Sequence, residues 1–214
     1  VITPFDTAAN LAQSLVGSGV TISNVTYTGS NGASGYFTGG TAAGIGINSG
    51  IVLTTGYASN LNGTTNTQDS ITGNNGLSGV SYLNALIPGY TTNDATVLAF
   101  DFVSTGTEAY FAYVFGSEEY NEYVGTSYND VFGFFVNGTA LTDNVATLPD
   151  GTVVSINNIN TASKSSYYNN NDPTDLTPTP FNFEYDGFTD PLVASILGLT
   201  AGDTYHLTLA IADA

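Results

Sequence analysis

The stretch "ATVLAFDFV", residues 95–103, reads as a β-strand with no solvent face. Successive side chains of an extended chain point to opposite sides. One side here carries Leu98, Phe100 and Phe102; the other carries Val97, Ala99, Asp101 and Val103. Both sides are apolar, which predicts a central strand and sets Asp101 among hydrophobes.

Further strand-like runs lie on either side. They are "VTISNVTY" (20–27), "SGIVLTTG" (49–56), "EAYFAYVF" (108–115), "DVFGFFV" (130–136), "TVVSINNI" (152–159) and "TYHLTLAIAD" (204–213). Turn-forming Gly and Asn separate them. Three helices are expected. "FDTAANLAQSLVG" (5–17) has Asp6 or Thr7 as cap, an apolar face of Ala8, Leu11, Ala12 and Leu15, and Gly17 as stop. "LSGVSYLNALI" (77–87) ends before Pro88. "FTDPLVASILG" (188–198) has Asp190 as N-cap, Pro191 in the first turn and Gly198 as C-cap. The expected class is mainly β, a two-sheet β-sandwich with a few short helices and long polar loops, in one domain over 1–214.

Charged residues make up 9% of the 214, yet the net charge is −17, with one Lys, no Arg and one His. Such a surface repels nucleic-acid phosphate and anionic lipid, so neither is expected as a direct partner. There is no Cys, which leaves the compartment open. No apolar run reaches the roughly 18 residues of a membrane span. The abrupt ends at Val1 and Ala214 suggest a domain excised from a larger protein. Asn24-Val25-Thr26, Asn62-Gly63-Thr64 and Asn137-Gly138-Thr139 match the glycosylation acceptor pattern, as chance allows in an Asn/Thr-rich chain.

The carboxylates are placed against this pattern. Asp101, Asp130 and Asp213 each fall on, or at the end of, an apolar strand row. A buried carboxylate must be paired, protonated or bound to metal. Lys164 and His206 cannot serve three sites, and His206, in register with Thr208 and Ala210, reads as structural. Backbone N–H groups or Tyr hydroxyls can satisfy any one Asp; a cation accounts for the set. No Cys and a single His disfavour zinc, and hard oxygen ligands point to Ca²⁺. The loop "GSEEYNEYVGTSYND" (116–130) adds Glu118, Glu119 and Glu122, and the region of Asp69 adds one more acid. Glu118 and Glu119 are adjacent, so in extended chain they point opposite ways; Glu122 reads as a solvated loop residue. The candidate metal ligands are Asp69, Asp101, Glu118, Glu119, Asp130 and Asp213.

Tyr-rich loops offer rigid contact surface with little entropy loss on binding. In "EEYNEY" and "SYYNNND" and beside them, the candidate ligand-contact residues are Tyr120, Tyr123, Asn129, Tyr168, Asn170 and Asp172. No nucleophile elbow, phosphate loop or zinc motif is present, and no enzyme is expected. Paired carboxylates on two strands could hydrolyse glycosides only at the right separation.

"GIVLTTG" (50–56), "DATVLAFDFV" (94–103), "YVFGSEEYNEYV" (113–124), "YNDVFGFFVNG" (128–138), "VSINNIN" (154–160), "YDGFT" (185–189) and "YHLTLAIADA" (205–214) together resemble the choice-of-anchor L family of bacterial surface and secreted domains. Members of that family typically continue past "LAIADA" with an acidic turn and one more strand; this chain stops there. The sequence is also similar to the calcium-dependent peptide-binding domains of bacterial RTX adhesins. That second resemblance implies an extracellular, monomeric β-sandwich module whose Ca²⁺ captures the C-terminus of a peptide or protein on another cell. A calcium-dependent lectin binding glycan, and a domain stiffened by calcium in a surface array, are the alternatives.

Overall fold

A computed structural model describes residues 1–63, 65–71 and 73–214. Thr64, which ends one of the acceptor triplets, lies outside the described residues. The fold is mainly β. In chain order the elements are β1 (Ile2–Pro4), α1 (Ala8–Gln13), β2 (Ile22–Thr28), β3 (Ser34–Thr38), α2 (Gly40–Ala43), β4 (Ser49–Leu53) and α3 (Ser81–Asn84). Then follow β5 (Asn93–Val103), β6 (Glu108–Tyr113), β7 (Gly116–Ser117), β8 (Val131–Val136), β9 (Tyr168–Asn170), β10 (Gly187–Thr189), β11 (Leu192–Leu197) and β12 (Thr204–Asp213).

β5 is a central strand, as its two apolar faces predict. It lies in the antiparallel sheet β2-β5-β12-β8. Register sets Leu98 opposite Leu209 and Leu209 opposite Phe134, so one row crosses three strands. This face packs on α1 and on the β6–β11 pair, where Phe111 meets Phe134 edge-on at 5.0 Å and Tyr113 meets Phe132 at 5.1 Å. The opposite face buries Val97, Phe135, Ala210 and Ala212 under Leu83, Leu86 and Ile87 of the α3 region. A sheet with a core on both sides has no need of hydrophobic–polar alternation, and β5 shows none.

The strands are hydrogen-bonded into four sheets where two were expected: β2-β5-β12-β8, β1-β3-β4, β7-β10-β9 and β11-β6. Short strands and irregular connections divide the ladders. Residues 152–159, expected as a strand, make only isolated bridges at Val153 and Ser155 and then turn, with Ile159 N–H donating to Ser155.

The largest correction concerns residues 188–198. They form no helix; Leu192–Leu197 is a strand paired along its length with β6. Leu192, Ala194 and Ile196 are buried, while Val193, Ser195 and Leu197 face out. This period of two is the half-buried strand signal. The residues that resembled helix caps act otherwise. Pro191 precedes the ladder, where its missing N–H costs nothing, and Gly198 turns the chain at φ +74°. The other two helices form in shortened versions. Thr7 caps α1 by accepting from Asn10 N–H at 3.2 Å, and Leu11 and Ala12 carry its buried face. The α3 region winds on through Leu86 and Ile87 to Pro88.

Phe134 is 1% exposed and lies between the main sheet and β6. Phe134→Ala is expected to cost about 3–5 kcal/mol in urea unfolding. Val193→Ala, at a position 51% exposed, should stay within about 0.5 kcal/mol. Comparable losses in both variants would contradict this assignment of the core.

Candidate metal centre

Three of the predicted acids meet at one end of the main sheet. Asp130 directly precedes β8, and Asp213 ends β12. Val131 of β8 pairs with Ala212 of β12, and Asn129 N–H donates to the Ala214 carbonyl at 2.8 Å. This clamp holds the two carboxylates side by side. Glu119 arrives from the loop after β7. Ser117 fixes it there: the Ser117 hydroxyl accepts from Glu119 N–H at 3.0 Å and donates to Asp130 Oδ2 at 2.8 Å. One carboxylate oxygen from each of Glu119, Asp130 and Asp213 lies within 4.8 Å of the others.

The electrostatics of this trio are unfavourable as they stand. Two unit charges 4.8 Å apart repel by roughly 3–4 kcal/mol at an effective dielectric of about 20. Glu119 Oε2 and Asp130 Oδ1 are buried with no hydrogen-bond partner among the described residues. Burial, then the charge of Asp213, raises the Glu119 carboxyl to about 8. Burial, then Glu119 and Asp213, raises Asp130 well above the usual carboxylate range. Neither basic side chain of the protein is near: Lys164 pairs with Asp150, and His206 Nδ1 lies 2.6 Å from Asp101 Oδ1. The trio borders a small cavity of about 90 Å³ also lined by Thr54, Thr55, Tyr57, Asn60 and Glu118. Such a site can take protons or a hard cation. Three carboxylates with hydroxyl and amide oxygens nearby suit Ca²⁺, and the residues present fit that ion.

The other predicted ligands lie elsewhere. Asp101 faces His206 across the β5–β12 ladder, beyond the part of that face covered by the α3 region. Its second oxygen accepts from Asn24 Nδ2 at 2.7 Å. Asn24 sits at φ +50°, where β2 shifts register against β5, and this aims it at Asp101. Hydrogen bonds from Asn24 and then His206 hold the Asp101 carboxyl below its usual value. Asp101 is therefore a satisfied acid outside the trio. Asp69 is exposed. Glu118 diverges from Glu119: its Oε1 accepts from Ile71 N–H at 2.9 Å. Burial, then Asp186, raises the Glu118 carboxyl to about 9.

The predicted contact residues are mostly committed to the interior. Tyr120 is fully buried, donates to the Ile159 carbonyl at 2.7 Å and packs on the Tyr168 ring at 4.7 Å. Tyr168 is half-buried and donates to Asn121 Oδ1 at 2.7 Å. Asn129 is buried, its Oδ1 accepting from Asn157 N–H. Asn170 bonds Asp175 and Asp172 N–H, and the buried Asp172 accepts from Thr174. These bonds commit Tyr120, Asn129 and Asp172 to partners inside the fold. Tyr123 alone of the six is openly exposed, and it stacks edge-on with Tyr128 at 4.9 Å. Sequence reasoning missed Ser117, whose position two residues before Glu119 is an ordinary turn signal. It also missed Asp186, which only strand pairing brings to Glu118.

A family model described as the choice-of-anchor L domain matches residues 2–214. No curated protein and no solved structure matches the chain, and the expected similarity to RTX adhesin domains is not shown.

Raised carboxyls make the metal-free fold pH-dependent. With Glu119 at about 8, against about 4.3 in an unfolded chain, the folded state holds the extra proton between these values. That stabilisation is complete below the unfolded value and is lost as pH rises through the folded one. The urea midpoint in EDTA should therefore fall from about pH 5 to about pH 8. Asp130, raised in the same way, also holds an extra proton in the fold; Asp130→Asn removes that proton and should flatten this slope, which separates the trio from general repulsion in an acidic chain. A slope unchanged by Asp130→Asn would contradict the coupling.

Proposed function

Because the chain belongs to the choice-of-anchor L family, we propose that it is a calcium-dependent ligand-binding module, not an enzyme, of a bacterial surface or secreted protein. One observation carries the calcium reading. Glu119, Asp130 and Asp213 converge with two buried oxygens left without hydrogen-bond partners among the described residues, and both basic side chains are engaged elsewhere. No helix among the described residues is long and apolar enough to cross a membrane, and the module is read as a monomeric β-sandwich displayed outside the cell.

Ca²⁺ takes six to eight oxygen ligands. Three carboxylates leave positions for hydroxyls, carbonyls, water or a ligand oxygen. In a chain of net charge −17, the ion would supply the local positive potential that an acidic ligand needs. The free C-terminal carboxylate of a peptide is the ligand this favours. Tyr57, 45% exposed and lining the cavity, offers aromatic surface for the residues that precede it. A glycan could complete the same sphere through its hydroxyls.

A second reading draws on the origins of the three acids. They come from the loop after β7, the start of β8 and the end of β12, so an ion would tie three separate segments together. Calcium would then act as a stiffener of the domain.

Calcium at about a hundred times its dissociation constant adds roughly 2.7 kcal/mol to stability. The thermal midpoint should fall by several degrees in EDTA, recover with Ca²⁺ and recover poorly with Mg²⁺. An unchanged midpoint would remove the metal from the account. A peptide library presented as free acids and as C-terminal amides then separates the readings. Carboxylate capture predicts binding of acids over amides by at least tenfold, abolished in EDTA while circular dichroism shows the fold intact. Equal binding of both forms points to another ligand chemistry, with glycan arrays as the next probe. No binding of either kind leaves the stiffener.

A further inference from the structure

The consecutive Glu118 and Glu119 serve two different places. Glu119 joins the trio, and Glu118 turns toward β10. Ser117 of β7 pairs with Gly187 of β10, and Gly116 with Phe188. Directly beyond this pairing Glu118 enters a turn and Asp186 ends a bend, which leaves the two acids neighbours at the end of the ladder, the charge of Asp186 acting on the Glu118 carboxyl.

Both carboxylates are buried and half-satisfied. Asp186 is 0% exposed; its Oδ1 accepts from Asn66 Nδ2 at 2.6 Å, and its Oδ2 is buried with no partner among the described residues. Glu118 is 9% exposed; its Oε1 accepts from Ile71 N–H, and its Oε2 is likewise buried without a partner. Asn66 is itself buried and locked, its Nδ2 also donating to the Asn171 carbonyl at 3.1 Å. More acids surround the pair. Asp186 feels the charges of Asp172, Glu122 and Asp69, and Glu118 feels that of Glu184. Asp172 is buried, whereas Glu122 and Asp69 are exposed at the surface. Lys164 and His206, the chain's two basic side chains, pair with Asp150 and Asp101 instead.

We infer that Glu118 and Asp186 form the floor of a second hard-cation site, beside the Glu119–Asp130–Asp213 trio, that takes Ca²⁺. Each contributes its unpartnered oxygen. Their other oxygens are held by Ile71 N–H and Asn66 Nδ2, which fixes both carboxylates before the ion arrives. Asp172, Glu122 and Asp69 make the potential around the pair more negative, and the exposed Glu122 and Asp69 can reach the ion through water. Oxygen donors alone select Ca²⁺ over zinc or copper. The site shares none of the trio's three acids, although Glu118 also lines the cavity that the trio borders. Two ions, one on each side of the Glu118–Glu119 link, would pin the loop that carries Tyr123 and Tyr128.

Calcium stoichiometry tests this on the intact chain, by isothermal calorimetry and by native mass spectrometry at pH 7.5. The wild-type protein should bind two Ca²⁺. Asp186→Asn should lose one ion, or bind it at least tenfold more weakly. Asp130→Asn should lose the other, and the double variant both. Glu118→Gln should reproduce Asp186→Asn, which covers the case where Asp186→Asn fails to fold. A wild-type stoichiometry of one, removed by Asp130→Asn and untouched by Glu118→Gln, would overturn the second site and leave the trio intact. One ion removed by Glu118→Gln and untouched by Asp130→Asn would keep this site and remove the trio's. No calcium at all would overturn both, leaving protons as the neutralising charge.

Discussion

Buried carboxylates without a compensating base constrain this structure more than any other interaction. A protein with one Lys, no Arg and one His has little with which to neutralise an interior acid. It uses both bases on carboxylates remote from the trio, Asp150 and Asp101. Everything acidic at the far end of the main sheet must be hydrogen-bonded, protonated or joined to a cation. Ser117, Ile71 N–H and Asn66 each satisfy one oxygen there. Each such bond fixes a carboxylate in place while leaving its second oxygen free, which is the arrangement an ion site needs and a simple structural acid does not.

Strand pairing does the placing. The β8–β12 ladder brings Asp130 to Asp213, although 83 residues of chain separate them (213 − 130). The β7–β10 pairing brings Glu118 to Asp186. The turn that follows β7 then sends Glu118 to Ile71 N–H and Glu119 to the trio. Small, rigid ladders locate charges more accurately than free loops would, because their backbone hydrogen bonds leave few alternatives. The two-sided core under β5 and β12 stiffens the platform on which these ends rest. Calcium bound there would be linked to folding: repulsion that the metal-free protein has to tolerate becomes attraction once a divalent ion is present.

The same pairing logic explains where local reading misled. Residues 188–198 carry Asp190, Pro191 and Gly198 at helix-cap spacing, and five of the six residues Leu192–Leu197 are apolar. Local chemistry there is compatible with either a short helix or a strand. The exposed backbone of β6 decided it, by offering a full antiparallel ladder. Tyr120 and Tyr168 looked like binding-loop aromatics because they sit in polar segments, yet they pack on each other inside the fold. Asp101 looked like its neighbours on the core row, but the covering α3 region stops short of it and His206 stands opposite.

The sequence by itself determined the β class, the central position of β5 and a cap for α1 at Asp6 or Thr7, and it put Glu119, Asp130 and Asp213 among six candidate ligands. These are consequences of periodicity and of charge count, which are properties of the chain written in order. Tertiary structure decided the division into four sheets, the strand at Leu192–Leu197, the removal of Asp101 from the trio, and the meeting of Glu118 with Asp186. Each of those depends on which backbone edge is free to pair and on which face is left uncovered. Both are set by residues far away along the chain, and no local window of sequence contains them.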